Sequence, residues 1–325
     1  VIRSFLQAPR GVELREGEIA EDELPRVLWL DLVSPSATEL HWVERVLSIE
    51  MPSREEMREI ETSSRLYEDR GALFMTMPML LNADAEYPDT TSVTFVLTGH
   101  RLVTLRYAEP KPFRLYAAQA LRHEGACSSG EQAFMGLIEA IVDRIADVLE
   151  QVSADLDLVS REVFVQDDRD AQRQARDFRK ILARLGRNGD LLARVRESLV
   201  GMGRLLAFVS VAFKAKDKKV MQGRIKTASR DVLSLSDQAS FLSNKVTFAL
   251  DATLGMVQIE QNAIIKIFSV AAVVFLPPTL VASIYGMNFE YMPELSWLLG
   301  YPMALGLMVL SAILPYLYFK RRGWL

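Results

Sequence analysis

The residues best suited to chemistry lie in one short turn, from Tyr285 to Leu295, set between two uncharged runs. Asn288 offers an amide oxygen, a strong acceptor that carries no charge. Repeated around an axis, such oxygens would accept hydrogen bonds from the water shell of a dication without trapping it. Asn also caps helix C-termini, and taken alone Asn288 fits either role. Gly286 lets a helix end and brings backbone carbonyls close to such an axis, and Met287 is expected to pack sideways and fix the turn. Glu290 and Glu294 follow in the same turn. They read either as solvated loop acids or as a negative field that concentrates cations at an entrance.

The elements that must position this turn are apolar. Ile267 to Tyr285 and Leu295 to Phe319 contain no charged residue, and a spanning helix needs about 20 mostly apolar residues. Two such runs around a polar turn predict a helical hairpin through a membrane. Lys320, Arg321 and Arg322 follow the second run, whereas the turn holds no Lys or Arg. Basic flanks stay on the cytoplasmic side, so both termini are expected inside and the turn outside. Trp297, Tyr301, Tyr316, Tyr318 and Trp324 fall near the expected membrane interfaces, as aromatic belts do.

One hairpin per chain cannot enclose a pore, so conduction requires several copies. Upstream of the membrane, Leu235, Ala239, Leu242, Val246, Ala249, Thr253 and Met256 step by four and three, a stripe that calls for partner helices. A helix from near residue 220 to 285 would reach roughly 100 Å and needs neighbours along its length. Carried into the membrane, this register puts Asn262, Ser269, Leu276 and Ser283 on one side at intervals of seven, with Thr279 one turn beyond Leu276. No acid is among them. Mg²⁺ gives up its waters reluctantly, so a lining without carboxylates predicts passage of a largely hydrated ion. Leu276 and Thr279 read as ordinary span residues or as a narrow apolar gate that closes by dewetting.

The rest of the chain is polar. Of 325 residues 25% are charged and the net charge is −4; nearly all the charges precede residue 263, and the balance gives no reason to expect nucleic acid. A single cysteine, Cys127, excludes a disulfide framework and a thiolate cluster. Val1 to Gly11 holds no run of signal-peptide length, so the hairpin is expected to be the membrane-targeting element. Segments 27–32, 73–77, 91–97 and 101–105 read as strands, the last two joined as a hairpin through Thr98-Gly99-His100. Ser36 or Thr38 opens a helix carrying Leu40, Val43, Val46 and Leu47.

Two long helices follow, from about Phe134 to Leu156 and from about Asp170 to Val211. The first carries Asp143, Asp147, Glu150, Asp155 and Asp157, the second Arg173, Arg176, Arg179, Lys180 and Arg184. These faces read as cross-helix ion pairs, each worth little; the alternative is an acidic surface that attracts divalent cations. Phe213 to Lys219 reads as a loop. The expected organisation is an α/β domain over 1–130, a helical hairpin over 131–218, and a stalk helix over 219–285 whose last part, from about 264, is the first span. The turn over 286–296, the second span over 297–319 and a basic tail over 320–325 complete it. Neither a Gly-rich phosphate loop nor a nucleophile elbow is present, and no enzyme activity or organic cofactor is expected.

Tyr285-Gly286-Met287-Asn288 with Met292-Pro293-Glu294-Leu295 resembles the signature of the CorA family of magnesium channels. The resemblance runs through Ile259-Glu260-Gln261-Asn262, Phe275-Leu276-Pro277-Pro278-Thr279 and Gly300-Tyr301-Pro302 to Tyr318-Phe319-Lys320-Arg321-Arg322. It extends more weakly to Trp29-Leu30-Asp31-Leu32 and Phe113-Arg114-Leu115-Tyr116. It implies a pentameric funnel in the inner membrane, built of a cytoplasmic α/β domain, long helices and a two-helix transmembrane hairpin, with the stalk helices around the axis. It implies influx of Mg²⁺, and also Co²⁺ and Ni²⁺, through a filter of Gly286, Met287 and Asn288, with Leu276 as a gate. It further implies a regulatory Mg²⁺ at Asp231, whose partners would be Asp84, Glu86 or Asp89 of a neighbouring copy; a surface ion pair is the plain alternative for Asp231. Two rival functions remain: a zinc transporter of the same fold, and a membrane-tethered cytoplasmic sensor. Met287, three scattered histidines and one cysteine count against a soft-metal route.

Overall fold

The computed structural model describes residues 1–9, 11–59, 61–164, 171–215, 219–288 and 292–324. By internal contacts the chain forms two compact units, Val1–Asp168 with Arg179–Leu250, and Arg169–Phe178 with Asp251–Leu325.

The first unit is built on a seven-stranded sheet. Its strands are β1 (Ile2–Ala8), β2 (Gly11–Glu16), β3 (Val27–Val33), β4 (Leu66–Asp69), β5 (Ala72–Leu81), β6 (Asp89–Thr98) and β7 (Arg101–Arg106), in the order β2-β1-β3-β7-β6-β5-β4. The four expected strands are β3, β5, β6 and β7. The β6–β7 hairpin is antiparallel, with Thr98 opposite Arg101, so its turn is two residues long. The β3–β7 pairing is parallel and the other pairings are antiparallel. Strands β1, β2 and β4 escape the sequence reading: β2 is half exposed along its length and β4 is four residues long, so neither carries a strong alternation.

Between the strands lie α1 (Ala37–Leu47) and the short α2 (Thr62–Arg65), and after them α3 (Lys111–Arg122). Ser36 opens α1 through a capping box, its hydroxyl accepting from the Glu39 amide at 3.2 Å while Glu39 accepts from the Ser36 amide at 2.8 Å. A stack of Phe5 on Trp29 at 4.2 Å fills one side of the core, together with Phe113 and Tyr116 of α3. Asp31 and Arg106, on the parallel pair β3 and β7, are paired inside this core.

Two long helices, α4 (Gly130–Phe164) and α5 (Ala171–Ala215), follow the sheet. At Gly201 the backbone of α5 comes so near β5 that an added Cβ would lie 2.7 Å from the Pro78 ring. The expected loop from Phe213 is corrected at its start. Phe213 to Ala215 complete α5, with Phe213 buried, because its ring joins the apolar face of that helix; residues 216–218 lie outside the described residues. So do the side chains of Arg173 and Arg176.

The last stalk element, α6 (Lys219–Tyr285), is one helix of 67 residues, close to the expected bounds. Its stripe does find partner helices, but within the chain. Ala239, Leu242 and Ala249 are buried, Arg224 pairs with Glu139 of α4 at 2.7 Å, and Lys245 with Asp157 at 2.6 Å. On α5, Cβ atoms added at Gly203 and Gly189 would touch Val232 and Val246 at 3.8 and 3.7 Å. Ala239, Leu242 and Ala249 of the stripe are thus covered within the chain, while Leu235, Val246 and Met256 stay partly exposed. The acidic face of α4 is partly neutralised as expected, with Arg184 bridging Asp155 at 2.6 Å and Glu162 at 2.8 Å.

The second unit holds the end of α6, a 3₁₀ turn over Pro293–Ser296, and α7 (Gly300–Arg321). Both helices are long and apolar enough to cross a membrane.

Candidate functional site

The turn after α6 is reached through a helix that tolerates two consecutive prolines. Pro277 and Pro278 have no amide to donate to Val273 and Val274. The next carbonyl, of Phe275, accepts from the Thr279 hydroxyl at 2.7 Å. Such local rebonding is how spanning helices accommodate proline.

The helix closes at Gly286, whose amide still donates to Ala282 O at 3.0 Å, while the Met287 amide donates to Ile284 O at 3.3 Å. An added Cβ at Gly286 would come within 3.0 Å of Ala282 O, so the crowding that selects glycine here is against the last turn of α6. Asn288 is exposed immediately beyond. Among the described residues the left-handed non-glycine positions are Ser34, Ser48, Arg70 and Asn82. Asn288 is therefore not a left-handed helix cap, the conformation that an asparagine ending a helix usually supplies. Met287 is 48% exposed.

Asn262, Ser269, Leu276, Thr279 and Ser283 are all exposed on α6. An ideal helix drifts about 20° per seven residues, so the row from Asn262 to Ser283 stays on one side of it. Leu276 is 66% exposed, a large apolar surface left open among the described residues. Glu294 is exposed in the Pro293–Ser296 turn; Glu290 lies outside the described residues. Beyond α7, Trp324 stacks on Phe319 at 5.2 Å and Arg322 covers the Tyr318 ring at 5.6 Å, a cluster of the kind that anchors a helix end at a membrane interface.

The four regulatory candidates are placed differently from one another. Asp84 accepts two bonds from Arg144 and stands 3.9 Å from Lys111. Glu86 and Asp89 are exposed, Asp89 accepting from the Thr90 amide at 2.7 Å. Asp231 is exposed on α6, and among the described residues it forms no ion pair. Burial first, and then the charges of Asp147, Glu139 and Asp231, push the Asp143 carboxyl above its ordinary range. Among the described residues no cluster of three or more His, Cys, Asp or Glu side chains is arranged to hold a metal. The sequence reading missed Arg144, because a buried arginine within an amphipathic helix has no local signature of the carboxylate it holds.

An α/β domain, the long helices α4 and α5, and the apolar end of α6 joined to α7 by a polar turn fit the class of membrane transport proteins. The model of the family described as "CorA-like Mg2+ transporter protein" matches residues 26–321, and the chain belongs to that family. Its relatives include the magnesium transport proteins CorA of Haemophilus ducreyi, 37% identical, and of Pasteurella multocida, 38% identical, each aligned over the whole of both chains. Among solved structures, the complete CorA magnesium transporter of Methanocaldococcus jannaschii superposes with a TM-score of 0.78 at 19% identity, covering 100% of this chain and 99% of that one. The cytoplasmic domain of ZntB from Vibrio parahaemolyticus superposes with a TM-score of 0.57 at 12% identity over 79% of this chain; that likeness concerns the fold alone.

Proposed function

We propose that several copies of this chain, five by the family resemblance, surround an aqueous path that admits hydrated Mg²⁺, and with it Co²⁺ and Ni²⁺, into the cytoplasm. The observation that carries this reading is Asn288: exposed, not left-handed, and just beyond a row of uncharged α6 side chains. Gly286 and Met287 complete the filter. Asn262, Ser269, Leu276, Thr279 and Ser283 line the path, Leu276 forming the apolar constriction, and Glu290 and Glu294 raise the cation concentration outside. Both termini lie in the cytoplasm and the hairpin sits in the inner membrane, in contact with lipid. An inside-negative potential supplies about 2.3 kcal/mol per charge per 100 mV, so roughly twice that for a dication, and no nucleotide is needed to drive entry.

Regulation follows from the acids. Mg²⁺ held between Asp231 of one copy and Glu86, Asp89 or Asp84 of the next favours the closed state, and its loss releases that state. The deciding experiment is uptake into liposomes containing the purified protein and a Mg²⁺-sensitive dye. Asn288→Ala is expected to abolish uptake or its selectivity; unchanged uptake with unchanged selectivity would sink the filter.

A further inference from the structure

A cleft of about 390 Å³ opens on the α/β body, far in sequence from the membrane hairpin. Three arginines line it, Arg54 and Arg58 from the segment before α2, and Arg65 from α2 itself. Thr90, Thr91 and Ser92 at the start of β6 also line it, and of these Thr90 and Ser92 share one face of the strand. Two acids, Asp89 and Glu197, share the lining. Asp89 accepts from the Thr90 amide at 2.7 Å, and Glu197 of α5 accepts from the Thr90 hydroxyl at 3.3 Å and lies 3.9 Å from Arg194. Among the described residues, no carboxylate forms an ion pair with Arg54, Arg58 or Arg65.

The lining thus sets three guanidinium groups against two carboxylates, an excess of one positive charge. Burial lowers the Arg65 pKa, Glu197 opposes that, and the like charge of Arg204 adds to the lowering. The Arg65 Nε donates to the Glu59 carbonyl, which fixes the plane of the group. The Arg54 guanidinium lies over the Tyr107 ring at 5.0 Å, so it too is oriented. Planar guanidinium groups held in place match the oxygens of phosphate, with two parallel donors each.

We propose that this cleft binds a small phosphate-bearing anion, with Arg54, Arg58 and Arg65 as its principal contacts. The source is inorganic pyrophosphate or a nucleoside diphosphate, which share the recognised group.

The test is calorimetric titration of the full-length protein in detergent, in magnesium-free chloride buffer, with pyrophosphate, ADP and citrate in turn. Saturable binding of pyrophosphate or ADP is expected, with ADP the tighter if a nucleotide is the occupant and pyrophosphate if it is not. Arg54→Gln and Arg58→Gln, both at exposed positions, should each weaken it by about tenfold, the loss of one charge-assisted bond. Lys111→Gln, outside the cleft, should change nothing, and melting curves identify any variant that has not folded. No saturable binding by the wild type, unchanged binding by the folded Arg54→Gln/Arg58→Gln double variant, or citrate binding as tightly as pyrophosphate would each overturn the proposal.

Discussion

A single nitrogen of Arg144, Nη2, donates to both carboxylate oxygens of Asp84 at 2.8 Å each. Arg144 is buried on α4 and Asp84 is exposed after β5, so the pair ties the β5–β6 connection down onto the helix. Any metal that took Asp84 would have to displace this arginine. Arg144→Gln is therefore expected to free Asp84 and make transport more sensitive to internal Mg²⁺, and Asp84→Asn to do the reverse. Dye-reported uptake against internal Mg²⁺ reads both. An unmoved threshold in the two variants removes Asp84 from the regulatory site and leaves Glu86 and Asp89.

The same pair has a pH signature. Hydrogen bonding to Arg144 lowers the Asp84 carboxyl below its ordinary value of 3.8. Its contribution to stability is therefore present above that value and fades as the pH falls through the lower folded one. Thermal melts of wild type and Asp84→Asn should converge in acid and separate near neutrality.

Asp143 behaves in the opposite sense. With its carboxyl raised by burial and by Asp147, Glu139 and Asp231, the folded state holds a proton more tightly than the unfolded chain does. Stability is then lost as the pH rises from the ordinary value of 3.8 through the raised one. Asp143→Asn should raise the melting temperature at neutral pH and have little effect in acid. A lower melting temperature at neutral pH would instead mean that the carboxylate has a stabilising partner, such as a bound cation.

Within the sheet, Arg106 donates to Asp31 at 2.9 and 2.7 Å, and the Thr104 hydroxyl donates to the same carboxylate at 2.8 Å. The carboxylate and guanidinium are only 3% and 2% exposed. Asp31→Ala leaves an uncompensated buried charge and should cost about 3–5 kcal/mol. Denaturant unfolding of Asp31→Leu/Arg106→Met is expected to show a smaller loss than Asp31→Ala alone, because removing both charges removes the desolvation penalty too.

At the proposed constriction, Leu276→Asn replaces an apolar surface with one that water wets. Leak of Mg²⁺ at high internal Mg²⁺ should rise, measured as current in planar bilayers. A leak equal to that of the wild type would assign Leu276 to an ordinary lipid-facing or packing role.

What the sequence alone determined is local in origin. Two charge-free runs, the basic residues after the second, the Gly286 to Asn288 turn, a helix start at Ser36 or Thr38 and the strand character of β6 and β7 are each legible within a few residues, since chain length across a bilayer, helix capping and side-chain period are local properties. Only the tertiary structure decided the placing of β1 between β2 and β3, the hold of Arg144 on Asp84, and the covering of the Ala239 and Leu242 stripe by the chain's own α4 and α5. It also gathered Arg54, Arg58 and Arg65 in one cleft with Thr90 to Ser92. These depend on which surfaces remain uncovered after the sheet and helices have packed, and residues 60 apart, as Asp84 and Arg144 are, leave no periodic trace of that choice in the chain.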